Sequence, residues 1–249
     1  MEKEWEIEVK IEHPEVKNEK SIDKYLSDSF DLILSHPKIL LPFFPAAIVN
    51  LIYLIYIFKR LFIYGIFSFA TNPEAIEFFA SKSFIFVTVI VIVITVFSYL
   101  IGSLSVAYFA IKERDYMNSF KVGVSRAPFL FGNFIAMLLV FVLAFLPIML
   151  VKSPFLVFGY VFILSFLVIP LFLFLPVIVL DHKLAIIESL KVYRANLKKS
   201  LILGILYVLV SSAVSSLIPI IGSLLNYLIV IPAFTVVYAL VYKEQRRKS

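Results

Sequence analysis

After residue 20, long apolar runs alternate with short charged segments along the whole chain. About 20 residues of helix are needed to cross the hydrocarbon core of a bilayer, and by that measure the runs predict six membrane spans. The first occupies residues 39–58, with Pro42 and Pro45 near its start. The second, residues 83–111, is longer than a perpendicular crossing requires, so it tilts or projects from the bilayer. The third and fourth, residues 128–151 and 155–180, are joined by the tight turn Lys152-Ser153-Pro154. The fifth begins near Leu201 and the sixth ends near Tyr242, with Pro219 and Gly222 marking a short hairpin between them. Residues 61–82 form an outer excursion. Within it, Asn72-Pro73-Glu74 has the order of a helix cap, a first helical position and an acidic first turn.

The pattern before the spans is different. From Glu4 to Glu12, charged and apolar side chains alternate without a break. Period two places Trp5, Ile7, Val9 and Ile11 on one face of an extended strand. A lone strand is unstable in water. It pairs with a partner's sheet edge or a second copy of itself, or it lies against the protein's own surface; both readings stand. Ser21 is placed to cap a following helix whose apolar stripe is Tyr25, Leu26, Phe30, Ile33 and Leu34. That helix is too short and too charged to span, and an interfacial position suits it.

Composition supports the lipid reading. Of 249 residues, 61% are hydrophobic and only 16% charged, more apolar side chain than a soluble domain of this size can cover with polar surface. The expected fold is an all-α polytopic membrane helix bundle. It divides into a cytoplasmic segment (1–20), a six-span membrane domain (21–242) and a basic cytoplasmic tail (243–249). Nineteen of the 23 basic residues fall in the segments on one side, leaving Lys59, Arg60, Lys82 and Lys152 on the other. The positive-inside rule then places both ends in the cytoplasm and the protein in the cell membrane. The acidic, aromatic start lacks the basic and apolar regions of a secretory signal, so no cleavage is expected. The net charge of +6 is spread along juxtamembrane segments, where it meets anionic lipid headgroups. Membrane lipids are therefore the expected partners, and nucleic acid is not.

Three segments share a local pattern: Asp28-Ser29-Phe30, Asn118-Ser119-Phe120 and Glu188-Ser189-Leu190. The last two continue alike, as Lys121-Val122 and Lys191-Val192. Each precedes a pair of spans, so the chain reads as a three-fold repeat of surface helix plus helical hairpin, over residues 21–111, 112–180 and 181–242. Three such surface helices would form a cytoplasmic collar around the bundle.

Candidate chemistry is sparse. The predicted spans hold no Asp, Glu, Lys, Arg or His, which removes the intramembrane relay groups that many ion-coupled transporters use. Their densest polar group is Ser211, Ser212, Ser215 and Ser216. Ser211 with Ser215, and Ser212 with Ser216, lie one turn apart, the spacing of small residues at close helix contacts. The competing reading is a polar lining for a pore or ligand groove, with Asn226 and Asn133 as further members. Prolines 42, 45, 147, 170, 176, 219 and 232 each remove a helix hydrogen bond. Broken helices can build sites near the bilayer midplane, and Pro170 and Pro176 opposite Pro232 mark the first place to seek a cavity. His36, Asp181, His182 and Glu188 are the residues a lipid-modifying site would need to bring together. The absence of cysteine excludes disulfides and thiolate metal sites. There is no Gly-rich phosphate loop, nucleophile elbow or His-Glu-x-x-His helix. No cofactor, metal or catalytic set is expected.

The stretch Leu175-Pro176-Val177-Ile178-Val179-Leu180-Asp181, followed by Ala185-Ile186-Ile187-Glu188-Ser189-Leu190-Lys191, resembles a group of uncharacterised prokaryotic six-helix membrane proteins. That group is related to the membrane domain attached to some glycerophosphoryl diester phosphodiesterases. The resemblance implies a six-helix bundle. The activity of those phosphodiesterases resides in a separate barrel domain, and no catalytic residue carries over. The expected function is a non-catalytic scaffold or partner-binding membrane component. The alternatives are a small-molecule or lipid transporter or channel and, third, a membrane-bound lipid-modifying enzyme.

Overall fold

The computed structural model describes residues 20–65, 71–112, 115–145, 153–217 and 219–246. Among them every regular element is helical, and together they form an all-α bundle. Five helices are long and apolar enough to cross a membrane: Pro37–Tyr64, Lys82–Ile111, Tyr116–Ala144, Leu197–Ser216 and Ile221–Arg246. The strand expected from Trp5, Ile7, Val9 and Ile11 lies outside the described residues.

Helix α1 (Ile22–Ser35) buries Tyr25, Ser29 and Ile33, three positions spaced by four. This narrows the expected stripe, because Phe30 and Leu34 are 44% and 77% exposed. The final helix, α10 (Ile231–Arg246), explains the shift. It comes so near that the Ser29 hydroxyl donates to the Ala233 carbonyl at 2.7 Å, and the Tyr25 hydroxyl meets the Glu244 carboxylate. Only a small side chain fits at the central position.

A 3-10 segment (Pro37–Phe43) leads into α2 (Phe44–Tyr64). Pro42 sits in the tighter segment and Pro45 in the first turn of α2, where a missing N–H costs nothing. Helix α2 continues past Lys59 and Arg60. The Arg60 guanidinium lies over the rings of Phe78 at 4.6 Å and Tyr56 at 5.7 Å. This cation–π contact pins α3 (Pro73–Ala80) to the end of α2. As expected, Asn72 caps α3, accepting from the Glu74 N–H at 3.0 Å.

Helix α4 (Lys82–Ile111) has 30 residues, or about 45 Å of rise. Up to Phe97 it exposes Ile85, Phe86, Val89, Val93 and Phe97 itself, an apolar face of the kind lipid covers. From Ser98 to Ala110 it is mostly buried. Gly102 lies under the Phe43 ring, where a Cβ would come within 2.7 Å.

Helix α5 (Tyr116–Phe145) corrects the expected layout. Residues 116–127 are not a separate surface helix that ends before Pro128; one helix runs through the proline. Gly123 explains this, since it presses α5 onto α4 so closely that a Cβ would stand 2.2 Å from Ser105 Oγ and 2.8 Å from the Ile101 carbonyl oxygen. Docked on its neighbour before the proline, the helix tolerates one lost backbone bond.

The remaining elements are α6 (Pro154–Ile178), α7 (Ala185–Ala195), α8 (Leu197–Leu217), α9 (Pro219–Leu225), a π-helical turn (Asn226–Val230) and α10. Helix α10 is the central post, buried at every residue from 232 to 239. The three pattern serines, Ser29, Ser119 and Ser189, are all fully buried. Ser119 and Ser189 each donate to the carbonyl four residues back at 2.7 Å.

Candidate functional site

A groove of about 450 Å³ opens at mid-length of the bundle, between α4, α5, α6 and the π turn. Aromatic rings build its wall. Phe134 stacks on Phe172 at 5.3 Å with 20° between planes, and Tyr99 meets Phe134 edge-on at 5.8 Å. Phe131, Ile135 and Leu138 follow one face of α5 and form the outer lip. All three are exposed, so the groove opens sideways rather than toward either end. Of the lining residues only Thr95, Tyr99 and Tyr227 carry a side-chain hydroxyl, and that of Thr95 already accepts from Asn50 Nδ2 at 2.6 Å. A space of this size, walled by carbon and without a free charge, suits an acyl chain or another apolar molecule.

None of Pro170, Pro176 and Pro232 lines the groove, although Phe172 falls between the first two in sequence and Ile231 precedes the third. The prolines themselves are buried packing groups. Pro170 rests against Gly204 of α8, where a Cβ would be 2.8 Å from the ring.

The polar residues singled out by sequence serve the backbone instead. Asn133 is buried inside α5 and uses its whole amide. It donates to the carbonyls of Phe129 and Lys183 and accepts from the Ala185 N–H, each at 2.8 Å. Since Leu184 offers no cap to α7, a residue 52 positions from Ala185 supplies it. Asn226 donates to the Ser211 carbonyl at 3.1 Å and to the Ser215 hydroxyl at 2.5 Å. Gly222 lies on the backbone of Val214 and Ser215, where a Cβ would come within 2.1 Å of the Val214 carbonyl oxygen. Ser211 and Ser215 therefore serve the α8–α9 hairpin, and Ser212, Ser215 and Ser216 are all exposed. None of these six residues lines the groove.

At the end of the bundle where α4, α6 and α10 finish, Asp181 gathers three helix ends. Its carboxylate meets Lys112 Nζ at 2.9 Å and Arg246 at 2.7 Å, and it accepts from the Tyr242 hydroxyl at 3.2 Å. Partial burial works to raise its pKa. The hydrogen bond from Lys112, the charges of Lys112 and Arg246 and the Tyr242 hydroxyl outweigh that effect, and the carboxyl is held below its ordinary range. The other groups of the expected lipid-modifying set do not join it. His36 packs against Phe109 with ring centroids 5.2 Å apart, His182 is exposed, and Glu188 pairs with Lys191 at 3.1 Å. Among the described residues no three His, Cys, Asp or Glu side chains group as metal ligands.

The aromatic wall was not recognisable as a site beforehand. Phe131, Phe134, Phe172 and Tyr227 come from three separate elements, and single apolar residues in an apolar span carry no pairing signal. The one local sign was the face shared by Phe131, Ile135 and Leu138, which fits lipid contact equally well. Compared with models of protein families, with curated proteins and with solved structures, the chain matches none.

Proposed function

We propose that this protein is a six-span, non-catalytic component of the cytoplasmic membrane that takes a lipid chain or similar apolar molecule from the bilayer into its lateral groove. The observation that carries the reading is the aromatic groove of about 450 Å³, open at mid-length through a lip of exposed apolar side chains. Helix α6, 25 residues long, serves as the sixth span beside the five already counted. The end bearing Lys112, Lys183, Lys191, Arg194 and Arg246 faces the cytoplasm by the positive-inside rule. The burial of Ser29, Ser119 and Ser189, and the matching back-bonds of Ser119 and Ser189 to the carbonyl four residues earlier, support a repeat, although Ser119 sits within the first span of its hairpin rather than on a separate surface helix. A six-helix plan is also what the resemblance of residues 175–191 to membrane proteins related to phosphodiesterase-attached domains implies.

Reconstitution with a phospholipid carrying a diazirine in its acyl chain tests the groove. Crosslinks are expected to concentrate on Phe131, Phe134, Ile135, Leu138 and Phe172. Leu138→Trp, which fills the lip, is expected to lower them several-fold, while Leu143→Trp on the open lipid face leaves them unchanged. Labelling spread evenly around the bundle overturns the reading.

Movement of the bound molecule across the membrane is the second reading. The π turn beside the groove favours it, because irregular helices at this depth accompany transport sites. Proteoliposomes that fail to translocate a fluorescent lipid faster than empty vesicles exclude it. A protein partner or second copy is assigned to residues 4–12, and deletion of those residues that leaves oligomeric state and co-purifying proteins unchanged removes that assignment.

A further inference from the structure

A second pocket, of about 430 Å³, lies at the basic end between α1, the last turn of α4 and α10. Its walls carry opposite charges. Asp28 and Asp31 stand one turn apart on α1, and Lys112 and Lys243 face it from α4 and α10. Part of this charge is already matched. Asp28 is bridged by Lys20 at 2.9 Å and by Lys24 at 3.1 Å, and Lys112 is bridged to Asp181. Asp31 has no ion-pair partner among the described residues and is exposed. Lys243 holds the opposite wall, with its ammonium 3.4 Å from the Ala110 carbonyl. A purely anionic ligand would meet Asp31 unfavourably, and a purely cationic one would meet the lysines.

Depth fixes the setting. The pocket sits at the level of Ile111 and Lys112, where the apolar run of α4 gives way to charge. Beside it, Phe30 and Leu34 project from the outer face of α1, as an interfacial helix presents its apolar side to the acyl boundary. We propose that this pocket binds a phosphate ester that also carries an ammonium group, with Asp31 receiving the ammonium and Lys243 and Lys112 the phosphate. An aminophospholipid headgroup has this chemistry, and so does soluble phosphoethanolamine. The inference concerns a different surface from the lateral groove and stands or falls independently of it.

The test uses the full chain in dodecyl maltoside with equal amounts of phosphatidylethanolamine, phosphatidylglycerol and phosphatidylcholine, all with the same acyl chains. Native mass spectrometry reads which lipid is retained. Phosphatidylethanolamine is expected to be retained about tenfold over phosphatidylcholine, the worth of one charge-assisted hydrogen bond. Asp31→Asn is expected to abolish that preference without changing the melting temperature. Lys243→Gln is expected to weaken phosphatidylethanolamine and phosphatidylglycerol alike. A parallel thermal-shift titration with O-phosphoethanolamine, against ethanolamine and inorganic phosphate, separates the sources. Lipid selectivity assigns the pocket to the membrane, while stabilisation by the soluble ester without lipid selectivity assigns it to a free metabolite. Equal retention of the three lipids with no response to the soluble ester overturns the proposal, as does a preference that survives Asp31→Asn.

Discussion

Replacing Asn133 with leucine tests how the bundle holds α7. The substitution keeps the branched side-chain shape, with two methyls in place of the amide atoms, and removes the amide that joins α5 to the chain at Lys183 and Ala185. Two hydrogen bonds of 2.8 Å between elements are lost, each worth about 1 kcal/mol net. The bond to Phe129 within α5 is a smaller loss, because that carbonyl keeps its helical partner. The Ala185 N–H is left in a fully buried residue, where an unmet donor costs about 1–3 kcal/mol. Polar bonds inside membrane bundles tend toward the low end of such ranges, near 0.6 kcal/mol on average. The expected destabilisation is therefore about 2–4 kcal/mol. Equilibrium unfolding in mixed micelles, followed by circular dichroism, measures the total. Hydrogen exchange across residues 183–190 shows whether the loss is local to the start of α7. Asn133→Asp keeps the acceptor for Ala185 but sets a second acceptor against the Lys183 carbonyl, so it should fall between the two. If Asn133→Leu stays within about 0.5 kcal/mol of the parent and exchange is unchanged, the cap supplied by α5 has no energetic role and the reasoning fails.

Gly222→Ala is expected to cost at least about 1–3 kcal/mol, because its Cβ would meet the backbone of Val214 and Ser215 and no side chain can swing away; a melting temperature equal to the parent's would refute this. Gly123→Ala should destabilise the α4–α5 contact, and adding Ser105→Ala should restore only part of the loss, since the Ile101 carbonyl remains in the way; full rescue would contradict that geometry. The lowered pKa of Asp181 fixes a pH dependence. Its contribution is fully present above the ordinary value of 3.8, and it is lost as pH falls through the lower value of the folded protein. Unfolding midpoints measured downward from neutral pH should therefore drop in that acid window, and Asp181→Asn should lessen the drop while lowering stability at neutral pH.

The helices were legible because lipid imposes a simple rule: each apolar run must close its own backbone hydrogen bonds. Asn72 and Pro73 gave away α3, since a cap is a local device. Pro128 misled, because its effect was decided by Gly123 pressing α5 onto α4, a contact between segments about 20 residues apart. Phe30 and Leu34 misled for a related reason. A helical stripe specifies a face only to within a residue or so, and Ser29 took the buried place because α10 approaches too closely for anything larger. Asn133 and Asn226 stood out correctly as polar groups that needed an explanation at depth. Periodicity could not say that their partners were backbone groups of α7 and α8 rather than a ligand. The groove was the least legible feature, since it is a space left between rings that are ordinary apolar residues when taken singly.

The π turn at residues 226–230 absorbs one residue more than an α-helix of the same length would hold. The helices on either side keep their facing directions, with the surplus stored as a bulge. Shortening the chain by one position inside the bulge would leave Tyr242 and Arg246 aimed at Asp181. The same deletion between residues 233 and 239 would rotate everything beyond it by about 100° and carry both side chains away from the carboxylate. Tolerance to length change along the last span is therefore concentrated at that bulge.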